Sequence, residues 1–182
     1  MPFLSAVVTL CRGMDLTDKN IVLIGMPGVG KSTVGVLLAK ALGRYFLDTD
    51  VFIQAIQQRC LQEIIDSDGL ETFCKVEAEY VACIDLTNAV IATGGSVVYS
   101  ETAMRMLTAH SVIVHLDLPV AQIEERLANL NTRGVVIEPG QTIRSLYDQR
   151  QPLYRRYAQI TLDCIDKSHD QIVTELVETL SR

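Results

Sequence analysis

The sequence has no surplus of basic residues and no long apolar run. Its 182 residues contain 16 lysines and arginines against 22 aspartates and glutamates, which gives a formal net charge of -6. A protein that binds nucleic acid usually carries a strongly basic face, so this balance argues against a nucleic-acid partner. No apolar run approaches the roughly eighteen residues of a membrane span, which argues against a membrane partner. The composition favours an enzyme that acts on a small molecule.

Cysteines and histidines are scattered along the chain. The three histidines lack the spacing of metal ligands, so we assign no role to His110, His115 or His169. The cysteines form no C-x-x-C pair and are odd in number, a usage typical of a reducing compartment. We therefore expect a cytoplasmic protein. The five cysteines are Cys11, Cys60, Cys74, Cys83 and Cys164.

The length of the chain fits one domain with its own core, because a domain of this size buries roughly 70% of its unfolded surface. We expect this domain to span residues 15–182, with residues 1–14 as an N-terminal extension outside it. The apolar stretch at residues 3–10 has no basic residue before it and no small-residue cleavage site, so it does not resemble a secretion signal. The expected form is a monomer.

The most specific pattern lies at residues 21–33, which read IVLIGMPGVGKST. They satisfy the phosphate-loop pattern G-x-x-x-x-G-K-[ST] between an apolar run and an amphipathic one. Glycines recur because several backbone N–H groups must converge on one phosphate, which requires positive φ. Lys31 would then reach the outer phosphates and the Ser32 hydroxyl would bind Mg²⁺, so ATP or GTP is the expected ligand. The predicted nucleotide contacts here are Gly25, Gly28, Val29, Gly30, Lys31, Ser32 and Thr33.

Apolar runs and amphipathic segments alternate along the chain. The predicted strands span residues 21–24, 45–47, 89–92, 111–116 and 159–162. The predicted helices span residues 31–42, 51–65, 71–86, 100–109 and 142–157, and two more begin near 119 and 168. This alternation predicts a three-layer α/β sandwich around a mostly parallel sheet. Residues 129–140 have no periodicity and contain two glycines and a proline, so we predict a mobile loop or lid there.

Carboxylates and glycines follow two of the predicted strands. Asp48 and Asp50 come at the end of the second strand, and Gly94 and Gly95 at the end of the third. In open α/β sheets ligands bind outside this end of the strands, which makes all four residues candidates. The aspartates could instead cap the next helix, and the glycines could form a tight turn. We favour catalysis for Asp50, because two carboxylates lie beside a phosphate loop. We favour substrate contact for the glycines, because they lie at the carboxyl end of a strand.

Several separate motifs together resemble shikimate kinase. They are the phosphate loop and residues 47–50, 73–77, 93–95, 133 and 150–154, which occur in the order and spacing of that family. The resemblance implies a five-stranded parallel sheet in the order 2-3-1-4-5, with the P-loop architecture of nucleoside monophosphate kinases. It also implies an ATP-dependent kinase that transfers the γ-phosphate to a ring hydroxyl of shikimate.

On the nucleotide side, the resemblance assigns Lys31 and Ser32 to the phosphates and Mg²⁺, and Asp48 to the metal through water. Arg133 corresponds to the lid arginine that closes onto the phosphates, and Arg126 to the arginine that packs on adenine. Phosphoryl transfer needs charge neutralised on the moving oxygens, which a lysine, Mg²⁺ and a closing arginine supply. Without the resemblance, Arg133 is equally well explained as a solvated loop charge.

On the acceptor side, the resemblance makes Asp50 the residue that binds the acceptor hydroxyls and takes the proton of the attacking one. Glu77 and Gly95 match further contacts, Gly94 is counted with them, and Arg150 matches an arginine that grips the acceptor carboxylate. Without the resemblance, Glu77 is an ordinary exposed helix acid and Arg150 belongs to a surface ion-pair face.

The acceptor side also departs from the family pattern. Cys74 stands where the family has a second arginine for the carboxylate, Ser96 replaces a third glycine, and lid residues 133–136 read RGVV. Hydrogen bonds to charged groups contribute roughly 1.5–3 kcal/mol, so shikimate binding should weaken at least about tenfold unless Lys75 or Arg144 compensates. Two alternatives stay open: a kinase for a different hydroxylated metabolite, and a nucleotide-binding regulatory module without transfer activity.

Overall fold

The computed structural model describes residues 16–129 and 140–181. Five parallel strands form one sheet in the order β2-β3-β1-β4-β5. The strands are β1 (Asn20–Ile24), β2 (Tyr45–Asp48), β3 (Ala89–Ala92), β4 (Ser111–Asp117) and β5 (Ile160–Asp163). The helices that flank the sheet are α1 (Lys31–Leu42), α2 (Thr49–Gln57), α3 (Leu61–Asp68), α4 (Leu70–Ala82), α5 (Glu101–Ala109), α6 (Val120–Asn129), α7 (Ile143–Tyr157) and α8 (His169–Leu180). This architecture confirms the predicted α/β sandwich and its strand order.

The central strands form the middle of the core. Every residue of β1 is buried, and so is every residue of β3, as expected for strands covered on both faces. The register pairs Leu23 of β1 and Asp48 of β2 with the same residue of β3, Ala92. The carboxyl ends of these three strands therefore lie side by side, and the loops that follow them open at one edge of the sheet.

The region after β2 differs from the prediction. The helix expected at residues 51–65 is two helices, because Gln58 adopts left-handed backbone geometry with φ 53° and α3 starts anew after Cys60. The turn expected at residues 66–69 is reduced to Gly69, and α4 ends at Ala82. This region is divided into three short helices because together they enclose a second, smaller apolar cluster. Its buried members are Ile53, Leu61, Ile64 and Phe73.

Two predictions concern residues outside the ranges that the structure describes. Residues 130–139, which include most of the predicted lid and Arg133, lie outside the described residues, and so do residues 1–15. Within the described ranges, no helix combines the length and the apolar character needed to cross a membrane.

His115 is an unusual member of the core. It lies on β4 with no exposed surface, and its ring stacks on that of Tyr154 at a centroid distance of 5.1 Å. Neither ring nitrogen has a hydrogen-bond partner in the described part of the chain. Burial lowers the pKa of His115 to about 4, although the charge of Asp117 opposes the shift. The neutral ring is therefore strongly preferred in the folded state.

We predict that His115 makes the fold sensitive to acid. Its ordinary pKa of 6.5 falls to about 4 in the folded state, so its stabilising contribution is complete above pH 6.5 and is lost as the pH drops toward 4. Between pH 7 and pH 5 the wild-type protein should lose about 2 kcal/mol of unfolding free energy relative to His115→Phe, which keeps an aromatic ring on Tyr154. Urea unfolding at the two pH values measures this difference. Parallel pH dependence in the two proteins would contradict it.

Candidate functional site

The loop between β1 and α1 has the geometry that its glycines predict. Gly25, Gly28 and Gly30 all have positive φ, at 145°, 80° and 102°. Gly25 is required for a second reason, since a Cβ there would lie 2.7 Å from the carbonyl oxygen of Leu116. Gly30 is the N-cap of α1, so the free N–H groups of the helix face the loop. Such an arrangement is a ready anion-binding site.

Lys31 lies inside this loop. Its Nζ donates hydrogen bonds to the carbonyl oxygens of Gly25 at 2.9 Å and Met26 at 3.0 Å, and the side chain is buried. Burial lowers the pKa of Lys31 to about 8, while the negative charge of Asp50 opposes the shift. Ser32 and Thr33 follow on the first turn of α1 and are exposed. The loop thus holds one fixed positive charge with a hydroxyl beside it.

Asp48 and Asp50 serve different purposes. Oδ1 of Asp48 accepts hydrogen bonds from the backbone N–H groups of Asp50 at 3.0 Å and Val51 at 3.2 Å, so Asp48 caps α2. Asp50 is not a cap, and its buried Oδ1 has no hydrogen-bond partner in the described ranges. Burial raises the pKa of Asp50 to about 6, against the effect of the Lys31 charge. An unpaired buried carboxylate oxygen is available to a ligand that donates a hydrogen bond.

Glu77 is a second buried carboxyl group at the same place. Its Oε2 accepts a hydrogen bond from Ser96 Oγ at 2.6 Å, whereas its Oε1 has no partner among the described residues. Burial raises the pKa of Glu77 to about 7, and the Ser96 hydrogen bond opposes this shift. A Cβ on Gly94 would collide with Glu77 Oε1 and would lie 2.8 Å from Asp50 Oδ1. Glycine therefore lets two unpaired carboxyl oxygens face one point, and the exposed-acid interpretation of Glu77 is wrong.

Arg150 is buried, so its interpretation as a surface ion-pair residue is also wrong. It is 2% exposed, and within the part of the chain that the structure describes no carboxylate lies within ion-pairing distance of it. Its Nε donates to Tyr99 Oη at 3.3 Å, and the guanidinium carbon is 5.2 Å from the centre of that ring. Tyr154 donates to the Gly95 carbonyl at 2.8 Å. The two tyrosines hold the arginine and the glycine loop in place.

Most of these groups line one cavity that opens to solvent, and Glu77 lies just outside its lining. Positive charge comes from the lysine and the arginine, and the aspartate provides a proton acceptor. The chemistry of the lining suits a small polar molecule that carries hydroxyl groups and an anionic group. Leu61 and Phe73 also line the cavity, which the sequence did not indicate because they belong to the second apolar cluster. The lining residues are Pro27, Lys31, Asp50, Leu61, Phe73, Gly94, Gly95, Ser96 and Arg150.

The residues that could compensate for the arginine replaced by Cys74 do not line the cavity. Cys74 is half-buried and packs against the second apolar cluster. Lys75 is exposed and pairs with Glu71 at 2.8 Å, and Arg144 is exposed on α7. Neither cation lines the cavity. Among the described cavity-lining residues, the cations are therefore Lys31, which the phosphate loop holds, and Arg150.

Two further side chains contact the phosphate loop from outside. Arg126 on α6 donates from Nη1 to the Val29 carbonyl at 3.4 Å. His169, to which the sequence assigned no role, begins α8 and lies against Gly30, with Nε2 2.9 Å from where a Cβ would be. The rim of the loop is thus formed by two different helices.

The fold and the loop define a P-loop kinase. The family model described as shikimate kinase matches residues 27–181. A shikimate kinase of Mycobacterium ulcerans is 37% identical over 163 residues, which cover 87% of this chain and 88% of the relative. Shikimate kinase 2 of an Enterobacter species is 33% identical over 169 residues, which cover 89% and 95%. The chain belongs to the shikimate kinase family.

Solved structures agree with this assignment. A shikimate kinase from Acinetobacter baumannii in complex with shikimate superimposes with a TM-score of 0.81 at 26% identity, and covers 91% of this chain and 94% of that one. The shikimate kinase of Aquifex aeolicus gives a TM-score of 0.74 at 30% identity, with 89% and 95% covered.

We predict that Glu77 destabilises the fold at alkaline pH. Because burial raises its pKa from 4.5 to about 7, its contribution is most favourable below pH 4.5 and is lost as the pH rises through 7. Glu77→Gln keeps the shape and removes the charge, so it should stabilise the protein by about 2.5 kcal/mol more at pH 8 than at pH 5. The exposed Glu79→Gln on the same helix shows the background effect of removing an acid. Urea unfolding that gives equal effects of Glu77→Gln at both pH values would show the assignment to be wrong.

Proposed function

We propose that this protein transfers the γ-phosphate of ATP to a hydroxyl of shikimate. Membership of the shikimate kinase family supports the reaction, and one observation supports the site: the unpaired oxygen of Asp50 faces the same cavity as the buried ammonium of Lys31. In this role Asp50 accepts the proton of the attacking hydroxyl while Lys31 neutralises charge on the phosphates. Positioning and charge stabilisation are what phosphoryl transfer requires of a protein.

The nucleotide half of the site consists of the phosphate loop and Arg126. The backbone N–H groups of residues 25–33 hold the phosphates, and the guanidinium of Arg126 packs on the base. Mg²⁺ fits the donor set, because the Ser32 hydroxyl is exposed and Asp48 uses only Oδ1 for its capping bonds. Within the described residues no group of three or more metal-ligating side chains exists, so the metal would bind together with the phosphates. Bound there, Mg²⁺ would neutralise developing charge on the phosphate oxygens.

The acceptor half of the site uses the remaining groups of the cavity. Arg150 binds the carboxylate of shikimate, and Glu77, Gly94 and Gly95 contact its ring. A guanidinium fixed by Tyr99 is suited to this role, because little rotamer freedom is lost on binding. We also propose that Arg133 closes onto the phosphates from a lid at residues 129–140, and that residues 15–182 act as one domain.

Shikimate remains the favoured acceptor despite Cys74. A different metabolite without a carboxylate would leave the buried guanidinium of Arg150 without an anionic partner, which is costly. A regulatory module without activity would have no use for an unpaired Asp50 beside Lys31. We also propose that the enzyme is a cytoplasmic monomer without a membrane partner. The net charge of -6 argues against a nucleic-acid partner.

The reaction is tested by steady-state turnover with ATP, Mg²⁺ and shikimate. Lys31→Ala should abolish turnover because it removes the positive charge at the phosphates, and Asp50→Asn should reduce kcat at least about a hundredfold, as expected for loss of a general base. Lys40→Ala, at an exposed position on the same helix as Lys31, is the matched control and should keep wild-type activity. Full activity of Asp50→Asn would exclude the proposed base.

Carboxylate recognition is tested separately with Arg150→Met. The KM for shikimate should rise at least about tenfold, because a hydrogen-bonded charge pair is lost, while the KM for ATP stays unchanged. Arg144→Met, at an exposed position on the same helix, should leave both constants unchanged. An equal rise in both constants for Arg150→Met would mean that Arg150 supports the fold and not the acceptor.

A further inference from the structure

Ser96 links the loop after β3 to helix α4. It is 4% exposed, and its Oγ donates to Oε2 of Glu77 at 2.6 Å. Both side chains are buried, and they come from different elements of the fold. A charge-assisted hydrogen bond of this length is strong and directional, so it fixes the rotation of the Glu77 carboxyl group.

Fixing one oxygen of Glu77 also determines where the other points. Oε1 is buried and faces the point beside Gly94 that Asp50 Oδ1 also faces, and neither oxygen has a partner in the described ranges. Asp50, Gly94 and Ser96 line the cavity, and Glu77 lies directly beside Gly94 without being one of the lining residues. A buried carboxylate oxygen normally accepts a hydrogen bond, so Oε1 can accept one from a hydroxyl or a water molecule that reaches it past Gly94.

We propose that Ser96 is a positioning residue of the acceptor site, which holds the Glu77 carboxyl group in a fixed orientation beside Gly94 and Asp50. The identity of the acceptor rests on the proposed function, whereas the link between Ser96 and Glu77 does not.

The charges around Glu77 explain why one hydroxyl has this influence. Burial is the largest cause that raises the pKa of Glu77, and the negative charge of Asp50 acts in the same direction. The Ser96 hydrogen bond is the largest opposing cause, ahead of the positive charges of Arg150 and Lys31. With a pKa of about 7, Glu77 is balanced between its two forms near neutral pH. Without the Ser96 hydroxyl, the protonated form of Glu77 should prevail near neutral pH. A protonated Glu77 can donate a hydrogen bond to Asp50, and the two carboxyl groups are then less available to an acceptor.

The first test needs no turnover. Carbon-13 NMR of glutamate-labelled protein follows the carboxyl titration of Glu77, and Glu77→Gln identifies its signal. Ser96→Ala should move the midpoint to higher pH by at least about one unit, in keeping with the loss of a hydrogen bond to a charged group. Ser96→Gly, which removes the same hydroxyl and adds no atoms, is measured beside it. An unchanged midpoint in both variants would overturn the proposal.

The second test separates positioning from general structural damage. At neutral pH, Ser96→Ala should raise the KM for shikimate about tenfold and leave the KM for ATP unchanged. The acid limb of kcat/KM should move to higher pH, and in a Glu77→Gln background Ser96→Ala should add no further loss. Additive losses, or equal changes in both KM values, would overturn the proposal. Failure of the wild-type protein to phosphorylate shikimate would refute the proposed function, and the NMR result would still decide the role of Ser96.

Discussion

The site depends on the burial of four charged or titratable groups around one small cavity. Lys31 is held by two carbonyl oxygens of its own loop, and Asp50, Glu77 and Arg150 face it from other elements. Burial lowers the pKa of the lysine and raises those of both acids, so each group is displaced toward its neutral form. In the low-dielectric cavity, interactions between these groups and a charged ligand are stronger than they would be in water, so a ligand that completes the pairing is favoured.

The sheet supplies the rigidity that such an arrangement needs. The adjacent strands β1 and β3 are buried along their whole length, and parallel pairing with common register ends them at the same edge. The phosphate loop, Asp50 and the loop of Gly94 to Ser96 therefore meet without any long connection. Gly94 is small for a specific reason, because two carboxyl oxygens occupy the space of its missing side chain. Unpaired polar atoms reduce stability at this edge, as is usual where a protein keeps groups ready for a ligand.

Features that depend on residues close together in the chain could be predicted from the sequence, whereas contacts between residues distant in the chain could not. The phosphate loop and the strand boundaries follow from local patterns, so residues 31–42 and 89–92 form the expected helix and strand. The break at Gln58 does not, because it results from packing of three short helices around Phe73. The burial of Arg150 and the Ser96 to Glu77 hydrogen bond join residues distant in the chain, and no local pattern reports them. The family resemblance located Arg150 and Glu77, but it treated Ser96 only as a departure.

The proposed reaction depends on the cavity between Lys31, Asp50 and Arg150. A crystal structure of the protein with ADP, Mg²⁺ and shikimate would test this claim most directly. The account predicts that one ring hydroxyl of shikimate lies within hydrogen-bond distance of Asp50 Oδ1 and faces the phosphates, while the shikimate carboxylate contacts the guanidinium of Arg150. Shikimate bound with its carboxylate away from Arg150, or with every hydroxyl beyond the reach of Asp50, would contradict it.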